Sequence, residues 1–267
     1  MATDMRSLRT RIKSIDSTMH LTKAMGLVAS SKLRRATENA QKSEEYASAL
    51  AAVTEELLSC PECSKSPYLR VSETDRTRLI VIAGDRGLAG GYNANIFRLV
   101  RNYPDAEIIP VGKRACDRYE KDKLFAETFT AADAHALAKK LCADFVNDDY
   151  DILGIVGTHY VSVLKQEPYV NFVFPLTKSK NKKNPSAIFE PDESTILETA
   201  IPEYVAGLIT SAVREGFLCE LASRRMAMDN ADKNAEAMIE DLRLKYNRAR
   251  QGTITQEITE IVAGSDA

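Results

Sequence analysis

The chain has 267 residues, 44% of them hydrophobic and 28% charged, with a formal net charge of −2. That is enough chain and apolar content for one large domain or two modest ones, and the near balance of charge gives no global pull toward nucleic acid. No window approaches the ~18 uninterrupted apolar residues of a membrane span. The opening MATDMRSLRTRIKS has no apolar secretory core, so the expectation is a protein that works in the compartment where it is made.

The first element is long. From Asp4 to Ser59 there is no proline, and Gly26 is the only glycine. Leu8, Ile12, Ile15 and Met19 recur in steps of four and three, which places them on one helical stripe, while Arg6, Arg9, Arg11, Lys13, Lys23, Lys32, Arg34 and Arg35 take much of the rest. The pattern predicts one helix over segment 1–59, on the order of 80 Å long at 1.5 Å per residue.

Cys60-Pro-Glu-Cys63 follows, with a spacing that zinc sites use. Zinc needs about four ligands, and Cys116, Cys142 and Cys219 are solitary in apolar periodic segments, so the reading is a turn bearing two thiols. Five cysteines, an odd number, also argue against a disulfide framework.

Between residues 60 and 190 the texture changes. TRLIVIAG, AEIIPVG, YDILGIVGTHY and YVNFVFPL are short β-branched or apolar runs, and helical stretches at 94–101, 113–121 and 131–147 separate the earlier ones. This alternation predicts a Rossmann-like α/β domain with a mostly parallel sheet, its last two strands close enough for an antiparallel hairpin. KSKNKKNPS, 178–186, reads as an exposed loop.

GDRGLAGG, Gly84 to Gly91, lies at the end of the first of these strands. A Walker A loop needs Lys-Ser/Thr after its last glycine, and here Tyr92-Asn93 follows; the dinucleotide fingerprint needs G-x-G-x-x-G, and here the glycines are 84, 87, 90 and 91. An anion at a helix N-terminus stays open. The favoured reading is a strand-to-helix turn in which glycines take positive φ and Asn93 or Asn95 caps the helix.

After Pro202 there is no further proline, and Gly216 to Gly252 contains no glycine between its ends. Ala231, Ala235, Met238, Leu242 and Ala249 keep a heptad-like rhythm. The pattern predicts a helix from about Glu203 to about Ile261, within a C-terminal segment 191–267. A domain of this size cannot cover two such helices along their whole length, so they are expected to pair as an antiparallel coiled coil protruding from the α/β domain. The alternative is a bundle in which both helices break and fold back.

His20, His135 and His159 have no ligand spacing, and no G-x-S-x-G or H-E-x-x-H occurs. The chain ends are more informative. Arg250 and Gln251 offer multi-donor side chains suited to carboxylates and carbonyls. Gly252 loosens the helix by up to about 1 kcal/mol relative to Ala. Beyond it Ile254, Ile258 and Ile261 form an apolar stripe where termini are usually polar. Such a stripe fits insertion into a sleeve provided by another protein, or completion of the intramolecular coiled coil.

LTKAMGLVASSKLRRA (21–36), SPYL (66–69), DRGLAGG (85–91), FEPD (189–192), ELASRRMAMDNADKNA (220–235) and, above all, YNRARQGTITQEITEIVAG (246–264) resemble in order and spacing the gamma subunits of F-type ATP synthases, the central rotor shafts of the F1 sector. The resemblance implies a coiled coil penetrating a hexamer of three alpha and three beta subunits, and an α/β domain outside against the epsilon subunit and the membrane c-ring. It implies catalysis on beta, with no nucleotide, cofactor or metal bound here, and a peripheral place on the cytoplasmic face of a bacterial membrane. Arg250 and Gln251 resemble the pair that engages a beta-subunit loop. Thr255 and Glu257 resemble positions tied to coupling, near Met25 on the facing helix. Lys23, with the turn around Arg34 and Arg35, resembles a basic face turned to acidic levers of beta. Gly252 stands where the family often has Ala, Ala89 where it often has Cys, and the tail ends in Ser265-Asp266-Ala267. The chain lacks the cysteine insert of chloroplast relatives, so Cys60 and Cys63 do not inherit its role.

Overall fold

The computed structural model describes residues 2–72, 74–122, 124–177, 189–190 and 192–265. The lysine-rich stretch 178–186 lies outside the described residues, as does Pro191 of FEPD. The chain opens with α1 (Ala2–Ser59), continues through an α/β stretch and closes with α5 (Glu193–Ser265). It divides into two compact units, one of Met1–Ser30 with Arg224–Ala267 and one of Ser31–Ser223.

In the second unit β1 (Thr77–Ile82), α2 (Tyr92–Val100), β2 (Glu107–Val111), α3 (Lys113–Tyr119), α4 (Ala131–Val146), β3 (Ile152–Tyr160) and β4 (Gln166–Phe174) follow in turn. The sheet order is β2-β1-β3-β4. β1 pairs in parallel with β2 and β3, and β3 pairs antiparallel with β4, as the hairpin expectation had it. β1 is central and buried on both faces, which is why it reads as an unbroken apolar run. Its alternate side chains serve two cores. Ile80 and Ile82 join α4 and α5 through Leu141, Phe145, Val205 and Ile209. Leu79 and Val81 join α2 through Tyr92, Ile96 and Val100. Thr130 caps α4 reciprocally with Asp133, whose carboxylate takes the Thr130 amide at 2.9 Å.

α5 begins at Glu193, about three turns before the start that Pro202 suggested, and Pro202 lies inside it. Asp192 starts the helix: its carboxylate accepts from the Ser194 hydroxyl at 2.7 Å and the Thr195 amide at 2.8 Å. These bonds, the Ser194 one foremost, hold its pKa down at about 2. Leu197, Ile201, Val205, Ile209 and Val213 then recur on one face, each 1% exposed or less. Burying a side chain of this kind contributes about 1.5–3 kcal/mol, so a handful offsets the ~3 kcal/mol cost of an internal proline. Over Glu193–Thr259 α5 is long and apolar enough by length and composition to cross a membrane, with a window of mean hydropathy 1.2, of which 44% is buried inside the protein.

Still in the second unit, α1 and α5 lie against each other through Leu33, Ala36 and Ala40 on one side and Leu218, Leu221 and Ala222 on the other. Small alanines let the backbones approach. In the first unit the pairing is antiparallel: the Thr22 hydroxyl donates to the Asp232 carboxylate, and one turn further along α1 Gly26 packs on Met228. The long helices therefore do not break and fold back as the bundle alternative required.

Cys60 and Cys63 are buried. The Cys63 thiol donates to the Glu193 carbonyl at 3.5 Å, so the pair packs the end of α1 onto the start of α5. All five cysteines are free, and no cluster of metal-ligating side chains occurs among the described residues.

Candidate functional site

Two places bear on function: the helix pair of the first unit, and the glycine loop of the second.

In the first unit Lys23 is exposed and Met25 half-buried on α1. Arg250, Gln251, Thr255 and Glu257 are all exposed on α5. Arg250 and Gln251 are adjacent, and one turn on the Thr255 hydroxyl donates back to the Gln251 carbonyl at 2.9 Å. These four residues thus share one stretch of helix. Met25 does not join them. The Gly26–Met228 contact sets Met25 across from Asp229, about seven turns, or roughly 40 Å at 1.5 Å per residue, from Thr255. The closeness of Met25 to Thr255 and Glu257 that the resemblance implied is corrected accordingly, because the antiparallel register sets Met25 elsewhere.

The same register, carried back to Ala2, ends α1 opposite Gly252. Beyond that point none of the described α1 residues lies alongside α5. Ile254, Ile258 and Ile261 are accordingly 45%, 56% and 71% exposed. Among the described residues the stripe is not covered by α1. Next to it nothing lies within 4 Å of where a Gly252 β-carbon would sit.

In the second unit the loop Gly84–Gly91 is a packed strand-to-helix turn. Positive φ occurs at Gly90 (54°) and, among its non-glycine residues, at Leu88 (60°). The helix cap expected of Asn93 or Asn95 is absent: Gly91 is the N-cap, without a side-chain bond. Asn93 instead folds back, and its carbonyl oxygen accepts the Gly84 amide at 2.9 Å. Asn95 accepts from Arg98 at 3.2 Å. Tertiary demand for an acceptor at Gly84 outweighs the local cap.

Two of the loop's amides, those of Asp85 and Arg86, face a buried carboxylate. Glu220 of α5, 1% exposed, accepts the Asp85 amide at 3.3 Å and the Arg86 amide at 3.2 Å. A β-carbon on Gly84 would lie 2.8 Å from Glu220 Cδ, so glycine is needed there for close approach. Asp85, 8% exposed, accepts from the amides of Lys113, Ala126 and Glu127 at 2.9, 2.9 and 2.8 Å. Tyr92 donates to the Gly216 carbonyl at 2.9 Å, and Ser223 to the Ala89 carbonyl at 2.9 Å. Gly216, Glu220 and Ser223 are one turn apart on a single face of α5. Glu127 closes the arrangement, taking Lys32 of α1 at 2.6 Å and Arg86 of the loop at 3.1 Å. The spacing of the motifs did not announce Glu220, Asp85 or Glu127. One signal was present: Glu220 is the lone charge in the apolar run FLCELA, and a carboxylate so placed must find donors.

The family model described as ATP synthase matches residues 4–267. The ATP synthase gamma chain of Ruminococcus albus is 39% identical over 280 residues, covering 98% of this chain and 98% of its own. That of Moorella thermoacetica is 34% identical, covering 98% of each. Among solved structures, a chain of the Euglena gracilis mitochondrial ATP synthase OSCP/F1/c-ring structure aligns with a TM-score of 0.70 at 16% identity, covering 100% of this chain and 95% of that one. One from the Tetrahymena thermophila mitochondrial central stalk and c-ring aligns at 0.62 and 20%, covering 79% and 99%. The fold is common to these chains and, on the sequence match across nearly its whole length, the chain belongs to the ATP synthase gamma chain family.

Proposed function

We propose that this chain turns as the central shaft of a bacterial F-type ATP synthase and couples ion flow through the membrane sector to ATP synthesis or hydrolysis at beta-subunit sites. It is a non-catalytic rotor subunit. Its working division is an N-terminal helix (1–59), an α/β domain (60–190) and a C-terminal helix (191–267). The helix ends sit within a hexamer of alpha and beta subunits; the α/β domain meets the epsilon subunit and the c-ring on the cytoplasmic face of the membrane. Each rotor angle presents different side chains to the three beta subunits and shifts their open–closed populations in turn.

The observation that supports this reading best is the exposed stripe Ile254, Ile258 and Ile261 in the last turns of α5. Leaving three isoleucines in water forgoes about 1.5–3 kcal/mol each, and a sleeve from another protein recovers it. Arg250 and Gln251, exposed at the start of this stretch, engage a beta loop; Thr255 and Glu257 couple the shaft's angle to that contact. Lys23, Arg34 and Arg35 face acidic segments of beta, and Met25 is a further partner contact.

Co-production with alpha and beta subunits tests the reading. The expected result is an ATPase-active assembly that contains this chain. Alpha and beta that ignore it, or saturable micromolar ATP binding by the chain alone, overturn it.

A further inference from the structure

We infer that Glu220 is a positioning residue for torque transfer: with Asp85 and Glu127 it clamps the helix pair to the α/β layer. The inference rests on the shaft reading and adds to it the point at which load leaves the helices.

A shaft that turns a second body needs an attachment that resists sliding. Apolar packing is non-directional, and side chains slip past one another under load. Directional bonds to a buried charge do not, because each has a fixed angle and acts in a low-dielectric setting. Along α5, Glu220 offers such an attachment: both carboxylate oxygens are committed to backbone amides of the turn after β1. The turn is in its own right stiff, since Asp85 ties it to the start of α3 and to residues 126 and 127. Glu127 then reaches α1 through Lys32 and returns to the loop through Arg86. The loop is thereby anchored to both helices at one level. Twisting the helix pair against the sheet strains both anchors at once. The Glu220 anchor is buried; the Lys32–Glu127 anchor is 41% and 32% exposed at its two side chains and so is the weaker.

The clamp is tested in the assembled enzyme in membrane vesicles, by measuring ATP hydrolysis and ATP-driven ion uptake for the wild-type chain, Glu220→Gln, Glu220→Ala and Lys32→Gln. Hydrolysis is expected to persist, while ions moved per ATP fall severalfold in Glu220→Ala, less in Glu220→Gln and least in Lys32→Gln. In the isolated full chain, the Asp85 and Arg86 amides of Glu220→Gln should exchange hydrogen about tenfold faster than in wild type, as loss of a charge-assisted bond implies. Faster exchange with unchanged ions per ATP means the contact is structural only, and the inference falls. If Glu220→Ala does not assemble, the milder Glu220→Gln and Lys32→Gln decide: unchanged coupling in both overturns the clamp. A wild-type chain that supports no coupled enzyme overturns the shaft reading and the clamp with it.

Discussion

The carbonyl oxygen of Ala83 lies 1.9 Å from where a β-carbon on Gly112 would sit. Ala83, just past the end of β1, donates its own amide to the Val111 carbonyl at 2.9 Å, so the two strand ends are held side by side. Gly112 also holds φ at +94°, a region other residues avoid. Gly112→Ala is therefore expected to destabilise the fold by about 3 kcal/mol, through backbone strain and enforced separation of β1 from β2. Urea unfolding followed by circular dichroism checks this; a midpoint within error of wild type refutes it.

Gly252 is the opposite case. It lies inside α5, where its φ is not in the positive range, and a methyl group there meets nothing. Gly252→Ala should stabilise the last turns by about 0.5–1 kcal/mol. Slower hydrogen exchange of amides 253–257 is the expected signal. Faster exchange would mean that the helix needs the glycine.

Arg250 and Gln251 are exposed on α5, so removing their side chains leaves folding alone. The double variant Arg250→Ala/Gln251→Ala should keep its far-ultraviolet spectrum and melting temperature. In the assembled enzyme it should lower rotation-coupled turnover. Normal ATPase with normal ion pumping would remove these residues from the coupling role.

Burial pushes the Cys63 thiol from its ordinary 9.0 up to about 11, and the Cys142 thiol up to about 12. In the unfolded chain both ionise near 9, so between pH 9 and about 11 the unfolded state has released protons that the native state still holds. Stability is full below pH 9 and falls as pH rises through that window. The urea midpoint should drop from pH 8 to pH 10.5, and by less in Cys142→Ala. Native thiols should also react slowly with iodoacetamide at pH 7.5, since the thiolate is the nucleophile. Fast labelling at neutral pH would contradict the burial.

Much of the architecture was legible because it is periodic. α1, β1 and the β3–β4 hairpin follow from spacing alone, since each buries a face set by its own repeat. Pro202 misled because local punctuation was outweighed by the buried face of Leu197, Ile201 and Val205. Asn93 misled for a similar reason: a good capping residue found a more urgent donor nine residues away. Met25 was set beside Thr255 by resemblance, and periodicity could not check it, because it says which face a residue is on and not which residue faces it. Glu220 and Asp85 stayed hidden among 38 acidic residues, since only the folded chain brings backbone amides to them.

The antiparallel seam of the first unit joins Thr22 to Asp232, 210 positions later in the chain. On the ribosome this has a plain consequence. The helix made first has no companion until the one made last emerges, and the whole sheet is synthesised in between. At about 5–20 residues per second, the start of α1 waits on the order of 10–40 seconds with its apolar stripe uncovered. Domains closed by local contacts escape that interval; here it is built into the order of synthesis, and whatever guards the nascent chain must guard it from its first turns.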